Sequence, residues 1–171
     1  MAKLKPKALL LLLLVFEVAF AQQVAQRLPD ELSEDETHQI AKEDRPKSHV
    51  EATFRVSNAR LAQALQLVRD SQFRETAQNL DLYAALITYA DSYARRATTE
   101  RSKDRYQCLK MIEQQIFKQY QTLDSLVKEL PYTYRDNGER ATTTAKRVRL
   151  RAIDDLLGGG SVLKSANDTP Q

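Results

Sequence analysis

Residues 101–130 read RSKDRYQCLKMIEQQIFKQYQTLDSLVKEL. Leu109, Ile116, Leu123 and Leu130 recur every seven residues, and Ile112, Gln119 and Leu126 repeat the interval three positions later. This is the spacing of a helix with one apolar seam made for other helices. Neither Gly nor Pro interrupts the run. Pro131 closes it, because a residue before proline is pushed out of the helical region. Gln119 is the one polar residue in the seam, and a single polar side chain at such a position fixes register.

Working outward toward the C-terminus, YTYRDNGE at 132–139 reads as a loop with Asn-Gly at its end. A last helix over 139–157 follows, with Ala141, Ala145, Val148, Ala152, Ile153 and Leu156 on one face. The glycine run at 158–160 supplies C-cap chemistry, and 161–171 reads as a disordered tail. Toward the N-terminus, Thr98 or Thr99 could cap the seam helix, or one helix could run through 95–105 unbroken. The pattern leaves both open.

Two more apolar stripes precede this region. Val50, Phe54, Leu61, Ala64, Leu65 and Val68 form one, and Phe73, Ala77, Leu80, Ala84, Ile87 and Ala94 the next. Between Val68 and Phe73 the apolar face jumps by roughly 140° at the helical repeat. A turn at 69–72, with Asp70 or Ser71 as the next N-cap, resolves the mismatch. Ser48 with Glu51 has the form of a capping box, which starts the first of these helices at 48.

The chain has 171 residues, 42% hydrophobic and 29% charged, which fits one domain with appendages. Its 4 glycines leave little for strand turns, and its 5 prolines lie near predicted ends and linkers. The expected fold class is all-α: antiparallel helical hairpins in a four-helix, bundle-like domain over 48–160. Lys3, Lys5 and Lys7 against Glu17 give the first 21 residues a net +2. The rest therefore carries +1 of the chain's +3, no argument for a nucleic-acid partner.

Residues 1–21 have the three parts of a secretory signal. Three lysines are followed by an apolar run over 8–16 and by Ala19-Phe20-Ala21, which predicts cleavage before Gln22. Glu17 cuts the apolar run short of the ~20 residues a spanning helix needs. Export to the periplasm or medium is the expectation, and an uncleaved anchor over 8–20 the alternative. Residues 22–47 hold Asp30, Glu31, Glu34, Asp35, Glu36, Glu43 and Asp44 with few apolar residues, the composition of a disordered acidic linker. The acid spacing at 30–36 matches no cation-wrapping loop.

Candidate sites are sparse. Cys108 is the single cysteine and flanks the seam, without a histidine placed by sequence to activate it. His38 and His49 are too far apart for a helical metal pair, and His49 reads as a helix N1 residue. No cofactor and no metal are expected. Tyr89 and Tyr93 are one turn apart, with Arg96 on the same side, and form a candidate protein-binding patch if exposed. Arg140, Lys146, Arg147, Arg149 and Arg151 concentrate positive charge on the last helix. They could meet an anionic envelope polymer or lipid surface, or spread as a solvated face. Asn167-Asp168-Thr169 fits a glycosylation sequon.

Residues 58–94, NARLAQALQLVRDSQFRETAQNLDLYAALITYADSYA, resemble the helical hairpin of tetratricopeptide-like units, although the turn glycine is absent and no second copy follows. Residues 111–159 are similar to the C-terminal half of small exported bacterial helical proteins of unknown function, in which a long helix ends in a Leu-Pro loop and a shorter helix ends in Leu-Leu-Gly. The resemblance implies fold and export and carries over no active site. The functional expectation is a non-catalytic interaction or scaffold module of the cell envelope, acting on another protein or by self-association. Its surface would be the groove of the 50–97 hairpin or the exposed side of 101–130. Membrane contact is expected only peripherally or through an uncleaved anchor.

Overall fold

The seam spends itself inside the chain. In the computed structural model, which describes residues 27–99 and 102–158, Leu109, Ile112, Ile116, Gln119, Leu123, Leu126 and Leu130 are all buried. They join a core with Val50, Phe54, Leu80, Tyr83, Ile87, Ala141, Ala145 and Val148 from the other long helices. The described residues form five helices: α1 Glu34–Ala41, α2 Pro46–Arg69, α3 Phe73–Ala97, α4 Lys103–Glu129 and α5 Tyr132–Leu156. The fold is all-α.

Cross-helix contacts give the directions. His49 meets Tyr89 while Arg60 meets Asn79, so α2 and α3 run antiparallel. Glu113 meets Arg149, and Gly138 lies against Val127, so α4 and α5 do too. Asp81 pairs with Arg140 at one end and Arg95 with Asp155 at the other, which sets α3 beside α5 in the same direction. The four long helices thus form two antiparallel pairs, ringed in the order α2, α3, α5, α4. The α3–α4 diagonal closes through Tyr83 and Gln119.

Local chemistry explains the boundaries, several of which differ from the sequence reading. The turn at 70–72 stands as expected, but neither Asp70 nor Ser71 caps α3; its N-cap is Gln72. Ser71 instead closes α2. It takes φ 59°, its N–H bonds the Val68 carbonyl, and the Gln72 N–H bonds the Leu67 carbonyl. That is a Schellman motif with serine in the left-handed position usually given to glycine. Ser71→Gly should therefore raise stability by up to about 1 kcal/mol, read as a higher urea midpoint at unchanged slope.

The helix expected to start at Ser48 starts at Pro46, whose missing N–H costs nothing in a first turn. Helices α3 and α4 are separate. Thr98 is extended, and the cap of α4 is Ser102, whose hydroxyl accepts from the Arg105 N–H at 3.1 Å. The expected loop after Pro131 is helix from Tyr132 onward, with Pro131 as the residue before the first turn. Gly138 is not a turn glycine. It is buried within α5, and a Cβ there would sit 2.9 Å from Val127 Cγ2. It lets α5 approach α4 closely, and Gly138→Leu should cost about 1–3 kcal/mol by overpacking, measured by chemical denaturation.

The expected disordered linker is ordered from residue 27 onward. Ser33 accepts from the Glu36 N–H and Glu36 reaches back to the Ser33 N–H at 2.9 Å, a complete capping box that starts α1. Ile40 is fully buried. Leu28 and Leu32 pack with it on Ala52, Val56, Leu86 and Tyr89, a second apolar cluster outside the main core. Composition misled because seven acids over 30–44 outvoted three well-spaced apolar residues. The leader, the cleavage position at Ala19, Ala21 and Gln22, the tail and the sequon at 167–169 lie outside the described residues.

Candidate functional site: the α2–α3 groove and the α4–α5 face

The tyrosine pair singled out from sequence is covered rather than exposed. Tyr89 is 7% exposed and Tyr93 is half-buried. Both face the stretch 28–43, whose Leu28, Leu32 and Ile40 lie over them. Arg96, on the same side, is exposed at its side chain.

His49 ties this region together. Its Nδ1 lies 3.1 Å from the Glu43 carbonyl, its Nε2 2.9 Å from the Tyr89 hydroxyl, and its ring stacks on Tyr93 with centroids 3.8 Å apart. A carbonyl only accepts, so Nδ1 carries a proton; in the neutral imidazole Nε2 then accepts from the Tyr89 hydroxyl. The sequence reading made His49 an ordinary helix N1 residue. Its burial and both ring bonds depend on α3 and on 28–43, neither of which a local pattern predicts.

Burial holds the His49 pKa below its ordinary value of 6.5, and the Glu43 carbonyl bond and charge oppose this only in part. The unfolded chain then binds the extra proton more readily than the folded one. The stabilisation is full above about 6.5 and drains away as pH falls through and below that value. The melting temperature should drop between about pH 7 and pH 5, and His49→Phe should flatten that slope. An unchanged slope in the variant would assign the titration elsewhere.

Glu36 strengthens the same region. Burial raises its pKa, but the hydrogen bonds from Arg60 and from the Ser33 backbone and hydroxyl, with the Arg60 charge, leave its carboxyl below the usual value. Its two oxygens take Arg60 Nε at 2.8 Å and Arg60 Nη2, a bidentate pair. Arg55 adds a looser contact to Glu43 at 3.7 Å.

The interior groups are structural. Cys108 is fully buried, and burial, then the Asp104 charge, against Lys47, push its thiol up to about 11. It stays protonated and unreactive at neutral pH. Gln119 accepts from the Tyr83 hydroxyl at 2.6 Å and donates to Asn58 Oδ1, so the polar seam residue links α2, α3 and α4. Burial raises the Tyr83 pKa above its ordinary value. Among the described residues no group of His, Cys, Asp and Glu is placed to hold a metal ion, and no helix is long and apolar enough to cross a membrane.

The basic residues of α5 are divided. Arg149 is half-buried, bonds Glu113 at 2.7 and 2.9 Å, and lies over the rings of Phe117 at 4.7 Å and Tyr120 at 5.5 Å. Arg140 meets Asp81 at 3.3 Å, and Arg151 lies 3.9 Å from Asp91. Lys146 and Arg147 stand exposed. Near them the outer side of the α4–α5 pair leaves large apolar groups in solvent: Tyr106, Phe117, Leu150 and Leu157. Tyr106 and Phe117 are about three turns apart on one side of α4, and Leu150 and Leu157 about two turns apart on one side of α5. The sequence signal for this face was present, since Phe117 falls outside the heptad seam.

No protein-family model matches the chain, and neither the curated proteins nor the solved structures give a match.

Proposed function

We propose that this chain is a non-catalytic, exported helical module of the cell envelope that binds another protein through the outer face of α4 and α5. One observation carries the reading: Phe117 is 60% and Leu150 42% exposed on a bundle whose own seam is already buried. Exposed aromatic and aliphatic groups beside a half-buried arginine are the materials of a protein interface. The neutral, doubly bonded His49 and the protonated Cys108 thiol fit a structural role better than a chemical one. Export rests on the leader pattern of residues 1–21.

A photo-crosslinking residue at position 117 in the producing cells should give a discrete protein adduct, and one in place of the exposed Gln63 on α2 should give none. Phe117→Asp with Leu150→Asp should leave a cooperative melt, lowered only by loss of the Arg149–Phe117 contact, and remove binding of the protein so captured. Equal adducts from both positions would contradict the reading. The exported chain should begin at Gln22 by terminal sequencing.

A second reading, docking to an anionic envelope surface through Arg140, Lys146, Arg147, Arg149 and Arg151, is favoured by the exposure of Lys146 and Arg147. It is weakened by the acidic partners of the other three. Binding to anionic vesicles that vanishes on charge reversal at Lys146 and Arg147, and falls steeply with salt, would support it.

A further inference from the structure

The outer side of the α4–α5 pair carries charge of one sign. Over 105–123 and 141–157 the exposed charged residues are Lys110, Lys118, Lys146, Arg147 and Arg151, all basic. The acids of the same stretches are half-buried, with Glu113 taken by Arg149 and Asp155 by Arg95 and Arg105. Among the described residues, Lys110, Lys118, Lys146 and Arg147 stand in no ion pair. We propose that the partner of this face is an acidic protein segment, which sets carboxylates on these cations and apolar side chains on Phe117 and Leu150. This deepens, and rests on, the reading of the chain as a protein-binding module.

The two helices put cations and apolar groups in the same rows. At about 100° per residue, Tyr106, Lys110 and Phe117 fall within about 40° of one another round α4, and Lys146, Leu150 and Leu157 within about 40° round α5. Arg149 lies over the Phe117 ring, so Leu150 stands at the level of Phe117, and the antiparallel course brings Leu157 toward Tyr106. Lys110 lies between the two aromatic residues along α4, and Lys146 one turn before Leu150 on α5. A lipid surface takes an unbroken apolar strip, which Lys110 interrupts. A protein segment that presents carboxylates and apolar side chains by turns satisfies both kinds of group, and the unpaired cations repel a basic one. Arg149, already neutralised by Glu113 and laid over Phe117 and Tyr120, gives the face a fixed aromatic floor.

The test uses the full chain and three labelled synthetic peptides, followed by fluorescence anisotropy: one of glutamate and leucine, one with serine for each leucine, and one with lysine for each glutamate. The glutamate–leucine peptide should bind at least about tenfold more tightly than either of the others, and the binding should weaken as salt is raised. Lys110→Glu with Lys146→Glu, both exposed, should keep a cooperative melt, lose that binding at least about tenfold and gain binding of the lysine–leucine peptide. Lys42→Glu with Arg69→Glu changes the net charge equally away from this face and should leave binding unchanged. Equal binding of the acidic and basic peptides would overturn the proposal, as would equal losses from the two charge reversals. Binding to vesicles of phosphatidylglycerol and phosphatidylcholine without binding to the acidic peptide would overturn it too, making the occupant a lipid surface. Crosslinking from position 117 decides separately whether the face binds protein at all. An adduct there that is indifferent to reversal at Lys110 and Lys146 sinks the acidic partner and leaves the protein-binding reading standing.

Discussion

Replacing Leu123 by Ala should lower the unfolding free energy by about 2–5 kcal/mol. Leu123 is fully buried in the middle of the seam, in the cluster that joins α4 to the other three long helices. Truncation removes the transfer free energy of the lost carbons and leaves a cavity that four packed helices cannot collapse to fill. A domain of this size has only about 5–15 kcal/mol in total, so the variant gives up a large share. Chemical denaturation should show the midpoint falling at constant slope. A loss below about 1 kcal/mol would mean that the site relaxes freely and the seam is not tightly packed.

Asp91→Ala should cost about 3 kcal/mol, near the lower end of what breaking a buried ion pair costs. Asp91 is 2% exposed and lies 2.9 Å from Arg95, which Asp155 also holds at 2.5 Å. Removing Asp91 leaves Arg95 half-buried with one carboxylate instead of two, and Asp155, shared with Arg105, limits the damage. Asp81→Ala is the control. Its pair with Arg140 is more than half exposed at both partners, and such pairs contribute about 0–1 kcal/mol. Equal losses at the two positions, measured at the same salt, would mean that burial does not set the cost.

Which parts of this architecture could be read in advance follows from how local their causes are. The seam over 109–130 was legible because heptad spacing is a property of the helix itself, and the break at 70–72 because a phase jump needs no partner to be seen. The start of α5 was misread. Tyr-Thr-Tyr-Arg-Asp-Asn-Gly has turn chemistry locally, and only the approach of Val127 shows why Gly138 belongs inside a helix. The ordered segment at 27–45 was misread for a related reason. Ser33 and Glu36 spelled a capping box, but the stability of α1 comes from Arg60 and the outer side of α2. The Tyr89–Tyr93 pair was found as a pair and misplaced as a surface, because the element that covers it had been assigned to disorder.

The most direct test of the central claim, that the 109–130 seam is buried within a single chain, is the solution mass of residues 22–171 by light scattering after gel filtration with reductant present. The account predicts one chain per particle and a melting temperature independent of protein concentration. A stable dimer that dissociates only as it unfolds, with a melting temperature that rises with concentration, would place the seam between chains and contradict it.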